Sequence, residues 1–264
     1  MRTGKKKIAI VTGASSGMGR ECVIQLADRF AGLEEIWVVA RRRNRLEELE
    51  KEVPVPLKVL ELDLRDELAF AELAERLEWE EPEVKILVNG AGFGKIGGTA
   101  DLALDEETGM IDVNCRALTA VTRLVLPYMS ENSRILQFAS AAAFLPQPRF
   151  AVYAATKAFV LSYSRALAME LKPRQICVTA VCPGPVKTEF FDIAETTGEI
   201  PLYKRLVMAD PKKVVKKALR DSMMGKTVSV YGALMKAFFV LAKIFPHDVI
   251  LSLLFSERLS AKSR

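Results

Sequence analysis

Short runs of apolar, β-branched residues alternate along the chain with charged stretches of helical pattern. The runs are continuously apolar, which is typical of strands that are buried on both faces of a sheet. The stretch at 66–80 instead places its apolar residues on one stripe, and the stretch at 45–53 pairs opposite charges at helical spacing. Strands that alternate with helices predict an α/β fold, with a doubly wound parallel sheet of about seven strands and helices on both faces. The predicted strands lie at 7–11, 35–40, 57–62, 84–89, 134–139, 176–182 and 227–231.

The size of the chain is compatible with one large domain. It has 264 residues, of which 50% are hydrophobic, so it can bury a sizeable core. No repeat or long linker divides the sequence, and residues 1–264 are therefore predicted to form a single domain. Basic residues precede a short apolar run at the amino terminus, but glycine and serine end that run too early for a secretory signal. We therefore expect a cytoplasmic protein.

The cysteines and the charges exclude several classes of function. The four cysteines form no CxxC pair, and the sequence has one histidine, so reduced thiols are expected, with neither disulfides nor a metal site. The net charge of +5 is concentrated at 5–7, at 41–43 and along a helix predicted to begin near Asp210 and Pro211. Because no aromatic residues are interleaved with these clusters, nucleic acid is not an expected partner.

A glycine-rich loop follows the first predicted strand. The sequence TGASSGMG at 12–19 precedes a helical stretch at 21–30. Gly13, Gly17 and Gly19 would allow a tight turn and a close backbone approach to a diphosphate at a helix amino terminus. Such a loop alone is weak evidence, but here the strand before it and the helix after it are both present. Since the GK[ST] ending of a P-loop is missing, a Rossmann-type nucleotide site is favoured over an ATPase or GTPase.

One phenol and one amine lie four residues apart in the apolar stretch AVYAATKAFV at 151–160. Its alanines favour a helix, on which Tyr153 and Lys157 would rise from the same face. The pair could belong to a core helix with a snorkelling lysine, or it could be half of an active site. The first interpretation leaves the glycine loop unexplained.

Five motifs, in order, make the chain resemble the short-chain dehydrogenase/reductase family over nearly its whole length. TGASSGMG resembles the cofactor loop of that family, DL at 63–64 its adenine contact, and NGAG at 89–92 its NNAG segment, with Gly90 where a second Asn is common. YAATK at 153–157 resembles its YxxxK signature, and PGPVKTEF at 183–190 its PGxxxT loop. The resemblance implies a Rossmann-type, nicotinamide-dependent oxidoreductase domain.

The resemblance also implies roles for individual residues. Ser140, at the end of the fifth strand, would donate a hydrogen bond to the substrate oxygen, and Asn114 would hold a water that links Lys157 to solvent. Lys157 would also bind the cofactor ribose. The other implied cofactor contacts are Gly13, Ser15, Ser16, Gly17, Met18, Gly19, Asp63, Leu64, Asn89, Ala91, Tyr153, Pro183, Gly184, Val186 and Thr188.

The chemistry of hydride transfer explains why a phenol and an amine would lie together at Tyr153 and Lys157. Reduction of a carbonyl leaves an alkoxide, which must receive a proton as it forms. A free tyrosine, with a pKa of about 10, exchanges its proton poorly near neutrality, but a nearby ammonium and the positive ring of the cofactor would lower that pKa. Tyr153 is therefore predicted to be the general acid in reduction and the general base in oxidation.

The end of the second strand predicts which nicotinamide is used. NAD-specific sites place an acidic residue there, whereas this strand ends with Ala40 followed by Arg41 and Arg42. Guanidinium groups match phosphate oxygens, so Arg41 and Arg42 are predicted to bind the 2′-phosphate and NADP(H) is predicted over NAD(H). The alternative is a solvated helix start, since Ser15 and Ser16 stand where many NADP-using relatives have a basic residue.

A substrate lid is predicted at 189–208, after the PG loop. Apolar residues from the lid and from nearby loops suggest a hydrophobic ketone or secondary alcohol, steroid-like or acyl. Alternatively, some of them pack on the core or on a neighbouring subunit. The residues concerned are Phe93, Phe144, Leu145, Phe190, Phe191, Ile193, Ile200, Leu202 and Tyr203.

Residues 233–264 form an apolar carboxyl-terminal extension. Lysines and the PHD sequence at 246–248 interrupt the apolar stretch before it reaches the length of about 20 residues that spans a membrane, so two short amphipathic helices are predicted. They could cover the pocket, join subunits or rest on a membrane surface. The family resemblance implies a homodimer or homotetramer.

Two other functions remain open on the sequence. A sensor or scaffold could bind NADP(H) without turnover, although it would need no general acid. An epimerase or dehydratase acting on a nucleotide-sugar also uses a YxxxK pair, but the chain after the PG loop is too short for the larger substrate domain of such enzymes.

Overall fold

The computed structural model describes residues 4–194 and 208–252. Its centre is a seven-stranded sheet in which every neighbouring pair is parallel, in the order β3-β2-β1-β4-β5-β6-β7. The predicted single-domain, doubly wound α/β fold is confirmed, and the predicted strands are displaced by no more than a few residues at their ends. The strands are β1 Lys7–Thr12, β2 Glu35–Ala40, β3 Leu57–Glu61, β4 Glu83–Asn89, β5 Arg134–Phe138, β6 Cys177–Val181 and β7 Val228–Ser229.

Helices cover both faces of the sheet. On β1, Ile8 and Ile10 point into one core and Ala9 and Val11 into the other, because successive side chains of a strand face opposite sides. The first core is closed by α3, α5 and α6, and the second by α1, α2 and α8. The helices are α1 Gly17–Arg29, α2 Arg43–Glu50, α3 Glu67–Glu80, α4 Leu104–Ile111, α5 Leu118–Val125, α6 Ala151–Glu170, α7 Phe190–Ala194, α8 Pro211–Met223 and α9 Ala233–Ile244.

Local sequence explains where several helices begin. The Asp66 carboxylate accepts a hydrogen bond from the Leu68 backbone N–H and starts α3, and Asp210 does the same with Lys212 at the start of α8. Pro211 then occupies the first helical position, where its missing N–H costs nothing. The helix predicted from Asp210 and Pro211 is thus confirmed.

The order of the strands changes direction between β1 and β4. From β1, the chain adds β2 and β3 on one side and β4 to β7 on the other. The loops after β1 and β4 therefore part at the carboxyl ends of these strands and leave a crevice, which is where open α/β sheets bind ligands.

The carboxyl-terminal segment packs on its own chain. Phe144 lies against Phe238 and Phe239 of α9, with ring centroids 6.0 and 4.7 Å apart, and Ala242 is buried. Residues 247–252 are again helical, as predicted for a second short helix. Of the predicted lid at 189–208, residues 195–207 lie outside the described residues, including Ile200, Leu202 and Tyr203. In the part of the chain that is described, every helix is too short or too polar to cross a membrane.

A buried carboxylate joins α8 to the edge strand β7. Asp221 is 2% exposed and accepts hydrogen bonds from Lys217 Nζ at 2.6 Å, Lys226 Nζ at 2.9 Å and Ser229 Oγ at 2.7 Å. Burial raises the pKa of Asp221, but the hydrogen bonds from Lys217, Ser229 and Lys226 outweigh it, so the pKa lies below its ordinary value. Asp221 therefore stabilises the fold while it is ionised.

We expect Asp221→Asn to lower the free energy of unfolding by about 1–3 kcal/mol near neutral pH, because buried donors lose a charged acceptor. The folded-state pKa is depressed, so the stabilisation is present above the unfolded pKa of about 3.9 and is lost as the pH falls through the lower folded value. Urea unfolding of wild type and variant across this range measures the difference. Asp28→Asn, at an exposed position of α1, should change stability by less than about 0.5 kcal/mol. A difference that does not shrink in acid would contradict the assignment.

Candidate active site

Two adjoining cavities follow the crevice at the carboxyl ends of the strands. The first, of about 430 Å³, is lined by the glycine loop and by residues that follow β2, β3 and β4. The second, of about 560 Å³, is lined by residues after β5 and β6 and by parts of α6 and α9. Both cavities share Met18, Gly90, Gly92, Thr188 and Phe190, so they form one continuous cleft.

The glycine loop packs backbone against backbone at the head of the first cavity. A Cβ at Gly19 would lie 2.2 Å from the Gly13 carbonyl oxygen, and one at Gly13, whose φ is +69°, would lie 2.7 Å from the Ala91 nitrogen. Larger residues are excluded there. The first-turn N–H groups of α1 follow, and Ser16 at its start makes no side-chain capping bond. A narrow cradle of backbone donors of this kind fits a dinucleotide diphosphate.

Thr12 ties the end of β1 to the end of β4. Its Oγ1 accepts hydrogen bonds from the backbone N–H groups of Gly90 and Ala91, both at 3.1 Å, and the residue is 1% exposed. The side chain therefore sets the width of the crevice. Sequence reasoning did not single it out, although it is the threonine that begins the TGASSGMG motif.

The side chain of Asn89 does not lie in the cleft, so a cofactor contact at this residue, which stays a prediction, would be made by its backbone. It is 2% exposed, and its Nδ2 donates to Thr122 Oγ1 and Gln137 Oε1, both at 2.9 Å. It joins β4, β5 and α5 beneath the crevice. The neighbouring Gly90, Ala91 and Gly92 line the cavity instead.

Tyr153 and Ser140 both line the second cavity. The residue is 7% exposed on α6, and Ser140 follows β5, where its Oγ accepts from the Ala142 N–H at 3.1 Å. The Tyr153 ring stacks on Phe150 at 4.2 Å and contacts Phe190 at 5.3 Å between centroids. Burial raises the pKa of Tyr153 to about 12, and the hydrogen bond with Ser140 opposes this only in part.

Lys157 lies one turn further along α6, beside the phenol. Its Nζ donates to the Phe138 carbonyl oxygen at 2.8 Å and lies 5.6 Å from the centre of the Tyr153 ring. Burial lowers the pKa of Lys157 to about 8, while the thiols of Cys115 and Cys182 oppose the shift. The Lys157 ammonium was expected to lower the pKa of Tyr153. In the protein alone that pKa is raised instead, because the effect of burying the phenol is larger.

Asn114 lies within a π-helical turn, Asp112–Ala117, between α4 and α5. Sequence periodicity did not predict this turn, which is a feature often found at functional sites. The side chain is fully buried, donates to the Phe93 carbonyl oxygen at 2.9 Å and to Thr156 Oγ1 at 3.0 Å, and accepts from the Phe93 N–H at 3.1 Å. Since both amide N–H groups are used, a relay water would donate to Oδ1 or to the backbone.

Gly92 separates Asn114 from Lys157. A Cβ built on Gly92 would lie 2.8 Å from Asn114 Oδ1 and 3.2 Å from Lys157 Nζ. Both polar side chains therefore border the space that a side chain at this position would fill, which glycine leaves open.

Positive charge surrounds the loop after β2. Arg42 donates from Nε and Nη2 to Ser15 Oγ at 3.3 and 3.2 Å, and its Nη1 is 2.9 Å from the Glu189 carboxylate. Arg41 lines the first cavity and is exposed. Leu64 and Asp63 also line that cavity, and the hydrogen bonds from Arg65 keep the pKa of Asp63 below its ordinary value.

The second cavity is mostly apolar. The predicted wall is present at Leu145, Phe190 and Phe191, whereas Phe144 packs against α9 outside the cavity. Phe93 and Ile193 line the first cavity instead. The segment of α9 was not predicted as lining, and its Met235 lies against Gly184 of the PG loop. Other residues that line this cavity are Phe138, Pro146, Gln147, Pro183, Pro185, Val186, Leu234 and Phe238.

Residues 7–197 match the family model described as short chain dehydrogenase. Among curated proteins, the NADP-dependent 3-hydroxy acid dehydrogenase YdfG of Escherichia coli O6:H1 is 36% identical over 191 residues, covering 70% of this chain and 75% of that relative. The residues that match the family model include the glycine loop, the Tyr153 and Lys157 pair and the PG loop.

Solved structures share the fold over most of the chain. A short-chain dehydrogenase from Sphingobium yanoikuyae in complex with NADPH superposes with a TM-score of 0.75 and 28% identity, covering 91% of this chain and 96% of that one. The 3-ketoacyl-(acyl-carrier-protein) reductase from Brucella melitensis, complexed with NADH, has a TM-score of 0.73 and 27% identity, covering 86% and 96%. Relatives with either nicotinamide therefore resemble this chain.

We expect Thr12→Val to lower the free energy of unfolding by about 1–3 kcal/mol, because the N–H groups of Gly90 and Ala91 lose their common acceptor. Thr12→Ser keeps the hydroxyl and should retain most of the stability. Chemical denaturation of the two variants beside wild type provides the comparison. A Thr12→Val variant as stable as wild type would contradict the assignment, because the two N–H groups would then not depend on the hydroxyl.

Proposed function

The chain belongs to the short-chain dehydrogenase/reductase family and is an oxidoreductase, and we propose that it transfers a hydride between NADP(H) and a hydrophobic carbonyl compound or secondary alcohol. One observation carries the proposal. Ser140, Tyr153 and Lys157 together line an apolar cavity, with the Lys157 amine beside the Tyr153 ring, where that cavity joins the glycine-loop cleft.

The proposed proton chemistry follows from the pKa values. A bound nicotinamide supplies or accepts the hydride. With a pKa raised to about 12 by burial, Tyr153 is protonated near neutral pH and can donate to an alkoxide, which is the stronger base. Ser140 is positioned to donate a hydrogen bond to the same oxygen. The Lys157 ammonium, with a pKa lowered to about 8 by burial, would stabilise the phenolate that remains.

The residues along the first cavity are proposed to hold the cofactor. The glycine loop and the amino terminus of α1 would bind the diphosphate, and Asp63 and Leu64 the adenine. Lys157 would bind the ribose. The residues from Pro183 to Thr188 would contact the nicotinamide, since most of them line the second cavity and Thr188 lines both.

NADP(H) is proposed over NAD(H) because of the charge around the loop after β2. Ala40 stands at the end of the strand in place of an acid, and Arg42 points its guanidinium at Ser15 beside the cavity. YdfG is NADP-dependent and the Sphingobium structure contains NADPH, whereas the Brucella reductase contains NADH.

The hydrophobic substrate is proposed from the lining of the second cavity. Its volume of about 560 Å³ and its aromatic and aliphatic walls suit a steroid-like or acyl ketone or alcohol. Polar groups are concentrated near Ser140, Tyr153 and Lys157, where a carbonyl would be oriented. The homodimer or homotetramer and the cytoplasmic location stay predictions of the sequence.

Tyr153→Phe should reduce the turnover of NADPH with hydrophobic ketones by about 10²–10⁴-fold, because the alkoxide loses its proton donor. The loss of absorbance of the reduced nicotinamide measures the rate over a panel of such ketones. NADPH binding should remain, since the ring is retained. Tyr163→Phe, on the same helix with its ring stacked on Phe159, is the matched control and should keep wild-type turnover. Activity that survives in Tyr153→Phe would exclude the mechanism.

Arg42→Ala should raise the dissociation constant for NADPH by about 10-fold or more and leave that for NADH nearly unchanged, because a charge-assisted contact to phosphate is lost. Arg43→Ala removes a neighbouring guanidinium that pairs with Glu47, and it should affect neither cofactor. Isothermal titration measures both constants. A wild-type protein that binds NADPH no better than NADH would exclude the proposed preference.

A further inference from the structure

A carboxylate forms ion pairs with the arginines of the proposed phosphate site. Glu189, which follows the PG loop, pairs through Oε2 with Arg42 Nη1 at 2.9 Å and through Oε1 with Arg45 Nη1. The same Arg42 side chain donates to Ser15 Oγ. Glu189 lies 147 positions from Arg42 in the sequence, so only the fold brings the two together.

The surroundings of Glu189 are polar and basic. It borders the first cavity and a polar cavity beside it, whose other lining residues include Ser15, Ser16, Arg20 and Arg45. The hydrogen bonds and charges of Arg45 and Arg42 keep the pKa of Glu189 below its ordinary value, so the carboxylate is ionised near neutral pH. Of the described residues, Glu189 is the carboxylate that forms an ion pair with Arg42.

These ion pairs are exchangeable. The side chains of Arg42, Arg45 and Glu189 are each 37–40% exposed, and exposed pairs contribute little net stability. A phosphate dianion carries more charge than a carboxylate and accepts more hydrogen bonds from guanidinium. A 2′-phosphate that approaches Ser15 and Arg42 would meet Glu189 as a like charge and as a competitor for the same donors.

We propose that Glu189 determines how strongly the chain selects NADP(H), by occupying Arg42 and Arg45 in the free protein and giving them up to the 2′-phosphate. The inference rests on the proposed NADP(H) site and adds a residue that opposes binding there. Without the carboxylate, the arginines are free for phosphate and the repulsion disappears. NAD(H) has a hydroxyl at this position, so its binding does not depend on the exchange.

The test is the binding of NADPH and NADH to the full chain, by isothermal titration, for wild type and Glu189→Gln. Glutamine keeps the size of the side chain and an oxygen that accepts from arginine, but it removes the charge. We expect the dissociation constant for NADPH to fall by about three- to tenfold, with that for NADH changed by less than about twofold. The gain should shrink as ionic strength rises, because the site is partly exposed.

Glu47→Gln is the matched control, since it removes one carboxylate of α2 that pairs with Arg43 outside both cavities. It should leave both dissociation constants unchanged. A gain in affinity for NADPH alone in Glu189→Gln supports the inference. If the wild type binds both cofactors equally, only the proposed preference for NADP(H) is excluded, and the gain in the variant still supports the inference. An unchanged or weaker NADPH affinity in Glu189→Gln would overturn the inference, because Glu189 would then be inert or would hold the arginines in place for phosphate.

Discussion

The close backbone contact between the glycine loop and the end of β4 is the constraint on which the cleft depends. Gly19 packs against the Gly13 carbonyl, Gly13 packs against Gly90 and Ala91, and Thr12 bonds the N–H groups of the same two residues. No side chain fits between these segments. The amino terminus of α1 therefore borders the crevice directly, and both cavities extend from that point.

Burial gives the pair of Tyr153 and Lys157 its electrostatic character. The same low-dielectric environment that raises the pKa of Tyr153 to about 12 lowers that of Lys157 to about 8, so each group is moved toward its neutral form. Near neutral pH the phenol is therefore neutral, while Lys157 keeps most of its charge. At the opposite end of the cleft, Arg42, Arg45 and Glu189 are partly exposed and paired. The proposed proton transfer and the proposed cofactor selection thus take place in differently solvated parts of the cleft.

Sequence patterns were sufficient where the interactions are local. Apolar runs located the strands, and the spacing of Tyr153 and Lys157 on a helix brought them to one face, as α6 has them. Patterns did not reveal side-chain contacts whose partners are remote in sequence. Asn89 belongs to a motif of cofactor loops, yet its amide is used by Thr122 and Gln137, and Phe144 is withdrawn from the cavity by α9. The π-helical turn at Asn114 has no periodic signature that distinguishes it from an α-helix.

The sequence by itself determined the parallel sheet, the glycine loop and the residue types of the catalytic set, because these depend on periodicity and on the chemistry of single side chains. Only the tertiary structure decided which groups meet. The Phe138 carbonyl that holds Lys157, the part of the cavity wall supplied by α9, and the pairing of Glu189 with Arg42 all join different elements of the fold. Such contacts follow from strand order and helix packing, which bring remote segments to the same edge of the sheet.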